Sequence, residues 1–96
     1  MSPLNKKKLE NVRNKLDKLD DKLIHLIKIR TNLVNEVLKL KQFKKDIIDP
    51  KRIRIILKKI KKKSLKKNID TKVTNKIWKN MIWAYIDYEK RNFKKR

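Results

Sequence analysis

From Leu9 to Leu40 an apolar residue returns every three or four positions, with one position missed and no helix breaker between: Leu9, Val12, Leu16, Leu19, Leu23, Leu26, Leu33, Val37 and Leu40. This is a heptad seam of about four and a half repeats, the signature of one long amphipathic helix. Its reading spans about residues 5–42, which at 1.5 Å per residue is roughly 57 Å. A compact globule of 96 residues is only ~32 Å across. Half of the seam therefore has nothing of its own chain to lie against. An elongated coiled coil would leave the rest of the sequence poorly used, so the expectation is a homodimer with its long helices antiparallel.

One seam position is not apolar. Arg30 stands where a leucine belongs, between Leu26 and Leu33. A charge on a buried seam is costly unless an anion meets it. A plainer reading lets the side chain lie along the seam edge and carry its head to water. The choice of residue favours the anion. Of 31 basic residues only six are arginine (Arg13, Arg30, Arg52, Arg54, Arg91 and Arg96), against 25 lysines. Arginine offers a planar fork that meets a carboxylate or phosphate at two points, which lysine does not.

The rest of the chain reads as helix. There is no glycine, and proline occurs only at Pro3 and Pro50, whereas a β-rich fold of this length would need glycine turns. Phe43–Ile48 reads as a short connection. Asp49-Pro50 opens a second helix, over about residues 50–67, with aspartate as N-cap and proline at the first helical position. Its apolar face is Ile53, Ile56, Leu57 and Ile60. Asp70 caps a third helix, over about residues 71–92, with Val73, Ile77, Trp78, Met81, Ile82, Tyr85 and Ile86 on its apolar face. The expected architecture is one all-α domain over residues 1–96, three helices per chain, in an intertwined antiparallel homodimer.

Several function classes fall away. Without cysteine there is no disulfide framework or thiolate metal site. The sole histidine, His25, falls on the polar side of the first helix and cannot form a metal cluster alone. No apolar run approaches the ~18 residues of a membrane span, and the N-terminus lacks the apolar core of a signal peptide. A cytoplasmic protein without metal or membrane partner is expected. The net charge of +21 suits nucleic acid, an acidic surface or small anions. A non-specific nucleic-acid binder is the competing class. Against it, the lysines recur on all the helices, interleaved with Asp17, Asp20, Asp21 and Glu36, and no groove-reading motif is present.

Arg13, Arg30 and Lys41 fall on one side of the first helix, near the seam. Arg13 lies about 25 Å from Arg30 and about 42 Å from Lys41 along the axis. No small molecule spans that distance. If two such helices run antiparallel, Arg13 of one chain approaches the Arg30–Lys41 end of the other, and two equivalent sites result.

These residues carry a resemblance. Leu9-Glu10-Asn11-Val12-Arg13, Leu19-Asp20, Leu26 to Arg30, Val37 to Lys41 and Asp49-Pro50-Lys51-Arg52 resemble the all-helical class of chorismate mutase. The third helix fits through Asp70, Val73, Ile77-Trp78, Met81-Ile82, Tyr85 and Glu89. The resemblance implies an intertwined dimer that converts chorismate to prephenate in aromatic amino acid biosynthesis, with no cofactor. It implies that Arg13 of the partner chain and Arg30 hold the two substrate carboxylates. Lys41 and Glu89 would then face the ether oxygen. Arg52 would sit near a carboxylate, Asp49 near the substrate hydroxyl, and Tyr85 would line the site.

Two positions depart from the family pattern. Ile53 stands where the family usually has a glutamate that contacts the substrate hydroxyl. Glu89 stands where many members have glutamine, and a carboxyl group donates a hydrogen bond only when protonated, which implies activity favoured at lower pH. A plainer reading leaves Glu89 as a solvated helix-end carboxylate beside Lys90 or Arg91. Ile53 and the aromatics Trp83, Tyr85 and Tyr88 also resemble the related isochorismate-pyruvate lyases, which share the fold and the arginine clamps.

Overall fold

The computed structural model describes residues 1–94; Arg96 lies outside the described residues. The elements are α1 (Pro3–Leu40), a short 3-10 turn (Lys44–Ile47), α2 (Pro50–Lys66) and α3 (Thr71–Asn92). No strand occurs among the described residues. The fold is all-α, with one helix far longer than the others.

Two compact units divide the chain, Met1–Leu33 and the stretch from Val34 onward, and the boundary falls inside α1. The first unit is helix alone. It starts at Pro3, earlier than the seam indicates, because Ser2 caps it. The Ser2 hydroxyl accepts from the Asn5 N–H at 3.1 Å, and its carbonyl accepts from the Lys6 N–H at 2.9 Å. Proline at the first helical position gives up no hydrogen bond there. Val12, Leu16, Leu19, Leu23 and Leu26 all lie exposed along this stretch.

The second unit has a small core of Ile47, Ile82 and Ile86, on which Leu38, Ile53, Ile56, Leu57 and Phe93 pack. Three buried isoleucines at ~1.5–3 kcal/mol each are a modest stabilisation. Ile47 is only 4 % exposed, so the connection between α1 and α2 is part of the core and not a plain loop. Asp46 shapes that turn. Its carboxylate accepts from the Phe43 N–H at 3.2 Å, and its own N–H reaches the Phe43 carbonyl at 3.0 Å.

The caps of α2 and α3 follow the sequence. Asp49 Oδ1 accepts from the Arg52 N–H at 3.1 Å, with Pro50 next in line. Asp70 Oδ1 accepts from the Lys72 N–H at 2.8 Å. The end of α2 is a Schellman closure. Ile69 N–H reaches the Ser64 carbonyl at 2.9 Å and Asn68 N–H reaches that of Leu65 at 3.3 Å. Asn68 adopts φ 56° to make it. In a chain without glycine, asparagine is the side chain that best tolerates this left-handed position. α2 and α3 pack on one another. Between them Ser64 is buried at 3 % exposure, its hydroxyl 2.7 Å from Thr74 Oγ1 and donating to the Ile60 carbonyl at 2.7 Å.

The last turns of α1 use a different face from the seam. Val34, Asn35, Leu38 and, just past the helix end, Lys41 are half-buried, whereas Leu33, Val37 and Leu40 are exposed. The two stripes are centred about 100° apart around the helix. Within the second unit, folding thus covers Val34, Asn35 and Leu38 and leaves Val37 and Leu40 open.

Candidate functional site

Glu89 is the unusual group of the second unit. On α3, Ile82, Ile86 and Glu89 are spaced four and three residues apart, which puts the carboxylate in line with the two buried isoleucines. It is 8 % exposed. The helix-end alternative is overturned: Glu89 is buried, Lys90 is exposed, and Arg91 Nε instead donates to Asp87 Oδ2 at 3.0 Å on the exposed side of α3.

Burial holds the Glu89 carboxyl above its ordinary value of 4.5, and the nearby Lys41 ammonium works in the opposite direction. Desolvation is the larger effect because it penalises the charged form outright, while a single ammonium offsets only part of that. The group is thereby biased towards the protonated acid, which donates a hydrogen bond as glutamine does. Lys41 is itself half-buried. Its Nζ donates to the Asp46 carbonyl at 2.6 Å, which holds the ammonium at the 3-10 turn. The remaining protons of the ammonium are available to a further acceptor.

The other candidates fall into place as follows. Tyr85 is half-buried and meets Tyr88 edge to face, ring centroids 6.3 Å apart and planes at 86°. Asp49 and Arg52 open α2, joined by the cap, both exposed. Ile53 packs on the isoleucine core. Arg13 and Arg30 belong to the first unit. Arg13 is exposed, beside an open hollow of about 650 Å³ that also involves Pro3, Leu9 and Glu10. Arg30 is half-buried, although the seam leucines on either side, Leu26 at 57 % and Leu33 at 56 %, are exposed. The guanidinium position is thus better covered than the leucine positions that flank it.

The second unit therefore brings Lys41 and Glu89 together and places Tyr85 one helical turn before Glu89. Sequence reading passed over Asn35, whose Oδ1 accepts from the Tyr88 hydroxyl at 2.9 Å. Only its three-residue offset from Leu38 and its six-residue offset from Lys41 hinted at a second stripe.

Among the described residues no helix is long and apolar enough to cross a membrane, and no group of three potential ligands could hold a metal ion.

The comparisons with known proteins point one way. The family model described as chorismate mutase type II matches residues 12–90. A chorismate mutase from Methanocaldococcus jannaschii is 34% identical over 76 residues, 78% of this chain and 77% of that protein. No solved structure matches significantly. The matched stretch runs from just before Arg13 to just after Glu89 and so contains all the site candidates. With four fifths of its length matching the family model, the chain belongs to the chorismate mutase type II family.

Proposed function

We propose that two copies of this chain lie antiparallel and form two equivalent sites, each of which rearranges chorismate to prephenate with residues from both copies. The chain is a chorismate mutase by family. The observation that carries the site is Glu89, a carboxyl buried beside Lys41 and held towards its protonated form. A surface carboxylate would have no reason to be there, since burying it costs free energy.

The chemistry suits these groups. The rearrangement breaks the ether C–O bond while a new C–C bond forms within the same molecule. It needs no nucleophile and no base. It needs the compact diaxial conformer to be selected and the charge developing on the ether oxygen to be met. Arg13 of the partner copy and Arg30 clamp the two carboxylates. Lys41 and protonated Glu89 donate to the ether oxygen. Arg52 stands near a carboxylate, Asp49 near the hydroxyl, and Tyr85 lines the site, while Ile53 supplies an apolar wall where relatives place a carboxylate. Preorganised donors of this kind are worth a few kcal/mol each.

The dimer is supported by the open seam. Val12, Leu16, Leu19, Leu23, Leu26, Leu33 and Val37 are all about half exposed, and Leu40 is 82 % exposed. A second antiparallel copy covers them, and within that assembly residues 1–96 act as one domain. The enzyme would serve aromatic amino acid biosynthesis in the cytoplasm, and its charge of +21 would draw a dianionic substrate inwards.

The test is loss of chorismate absorbance with purified protein, alongside Arg30→Ala. We expect turnover by the native chain and a fall of about 10²–10³-fold in the variant with helix content and mass unchanged. Full activity in the variant would remove Arg30 from the site. Isochorismate is offered in parallel: salicylate in place of prephenate would make the protein a lyase of the same fold.

A further inference from the structure

Lys41 follows the end of α1, and Glu89 lies in the last turn of α3. Their meeting depends on how α3 is held against α1 at that end. Apolar packing on Ile47, Ile82 and Ile86 supplies attraction but little direction, because burial of isoleucine is nearly indifferent to small rotations. A directional contact stands one residue before Glu89. The Tyr88 hydroxyl donates to Asn35 Oδ1 at 2.9 Å, linking residues 53 apart in the chain. Both side chains are half-buried. Asn35 precedes Lys41 by less than two turns, and the Tyr88 ring braces Tyr85 edge-on at 6.3 Å. Around α3, Glu89 is flanked by Tyr88 about 100° to one side and Ile86 about 60° to the other. A rotation of α3 that broke the phenol contact would turn Glu89 out of its present place beside Lys41.

We infer that Asn35 and Tyr88 are positioning residues, whose hydrogen bond sets the rotation of α3 against α1 and so keeps Glu89 covered beside Lys41. The inference rests on the site proposed above. Lys41, just past the end of α1, is the charge that acts on Glu89 from that side. Lys44, Lys45 and Asp46 on the 3-10 turn, Arg52 on α2, and Asp87, Lys90 and Arg91 on α3 itself are all exposed. The burial of Glu89 is therefore the property that the bond protects.

Tyr88→Phe keeps the ring and removes the hydroxyl; Asn35→Leu removes the acceptor at similar size. The experiment measures kcat and KM for chorismate across pH, and the titration of the Glu89 carboxyl by 13C NMR in the same proteins. Each single variant should lose on the order of tenfold in kcat near neutral pH, as a misplaced donor does. KM should change by less than about twofold, since uniform substrate binding is intact. The pH profile and the carboxyl titration should both move to lower pH, towards an ordinary carboxylate. The double variant should be no worse than the worse single one, because both remove the same contact. If kcat falls while the pH profile and the titration stay where they are, or if the two losses add in full, the positioning role is wrong. The carboxyl titration needs no substrate, so it decides the inference even if the native protein fails to turn over chorismate, a result that would sink the functional reading instead.

Discussion

Replacing Glu89 by glutamine separates the protonated acid from every other contribution to turnover. Burial raises the folded-state pKa of Glu89 above 4.5, with Lys41 pulling it partly back. In the proposed site only the protonated form can donate to the ether oxygen. Above the folded pKa that form falls tenfold per pH unit, so log kcat of the native enzyme should decline with a slope of about −1. Glutamine carries its donor at every pH, and Glu89→Gln should hold a flat profile. The two curves should run close together in acid and separate in alkali, where the variant leads. Stability follows the same sign. A carboxyl whose folded pKa lies above its unfolded one binds more protons when folded. Its contribution is complete below the unfolded value and is lost as pH rises through the folded value, at no more than about 1.4 kcal/mol per pH unit. Urea unfolding should therefore show Glu89→Gln gaining on the native chain as pH rises. Chorismate depletion followed by absorbance across pH is the assay. A variant inactive at every pH refutes the donor role, and a variant that declines in parallel with the native enzyme places the titration on another group.

Two further substitutions address the fold that carries the site. Leu23→Asp puts a carboxylate into the middle of the open seam, where Leu23 is 47 % exposed in the single chain; pairing would bury that charge at a cost of several kcal/mol. Sedimentation should then show the monomer mass at micromolar concentration, with chorismate turnover lost; an unchanged dimer would move the interface off the seam. Asn68→Ala should lower the urea-unfolding free energy by about 1 kcal/mol, because alanine tolerates the left-handed conformation at φ 56° poorly; unaltered stability would mean that the end of α2 closes without it.

The helices were legible because their signals are local. Asp49-Pro50 and Asp70 state where α2 and α3 begin, and each aspartate makes the cap its position implies. The missing glycines pointed to helix, but they hid the one left-handed residue, since Asn68 takes that place without advertising it. The 3-10 turn was read as a connection because Ile47 lies in no periodic run; its burial comes from α2 and α3, which lie later in the chain. The seam of α1 was plain, yet within the second unit its members Val37 and Leu40 stay exposed while Leu38 is half-buried. Asn35, Leu38 and Lys41 form a second, polar-rich stripe whose importance depends on what docks there, and periodicity ranks a leucine seam above it. Arg30 was legible as a candidate because its charge breaks an apolar pattern, and the structure shows it half-buried among exposed leucines. Glu89 breaks the Ile82–Ile86 stripe of α3 in the same manner, but resemblance to a family found it first. The proximity of the Lys41 charge to Glu89 arises where the ends of two helices come near one another, which no spacing along the sequence reveals.

The claim that each site is shared between two copies is tested most directly by mixing two disabled enzymes. Arg13→Ala and Arg30→Ala are each expected to be nearly inactive alone. Unfolded together and refolded at equal concentration, half of the dimers are mixed, and each mixed dimer has one site with both arginines and one with neither, so activity should return to about a quarter of the native value. A mixture that stays at the sum of its two parts would mean that Arg13 and Arg30 serve one chain, or that Arg13 serves no site at all.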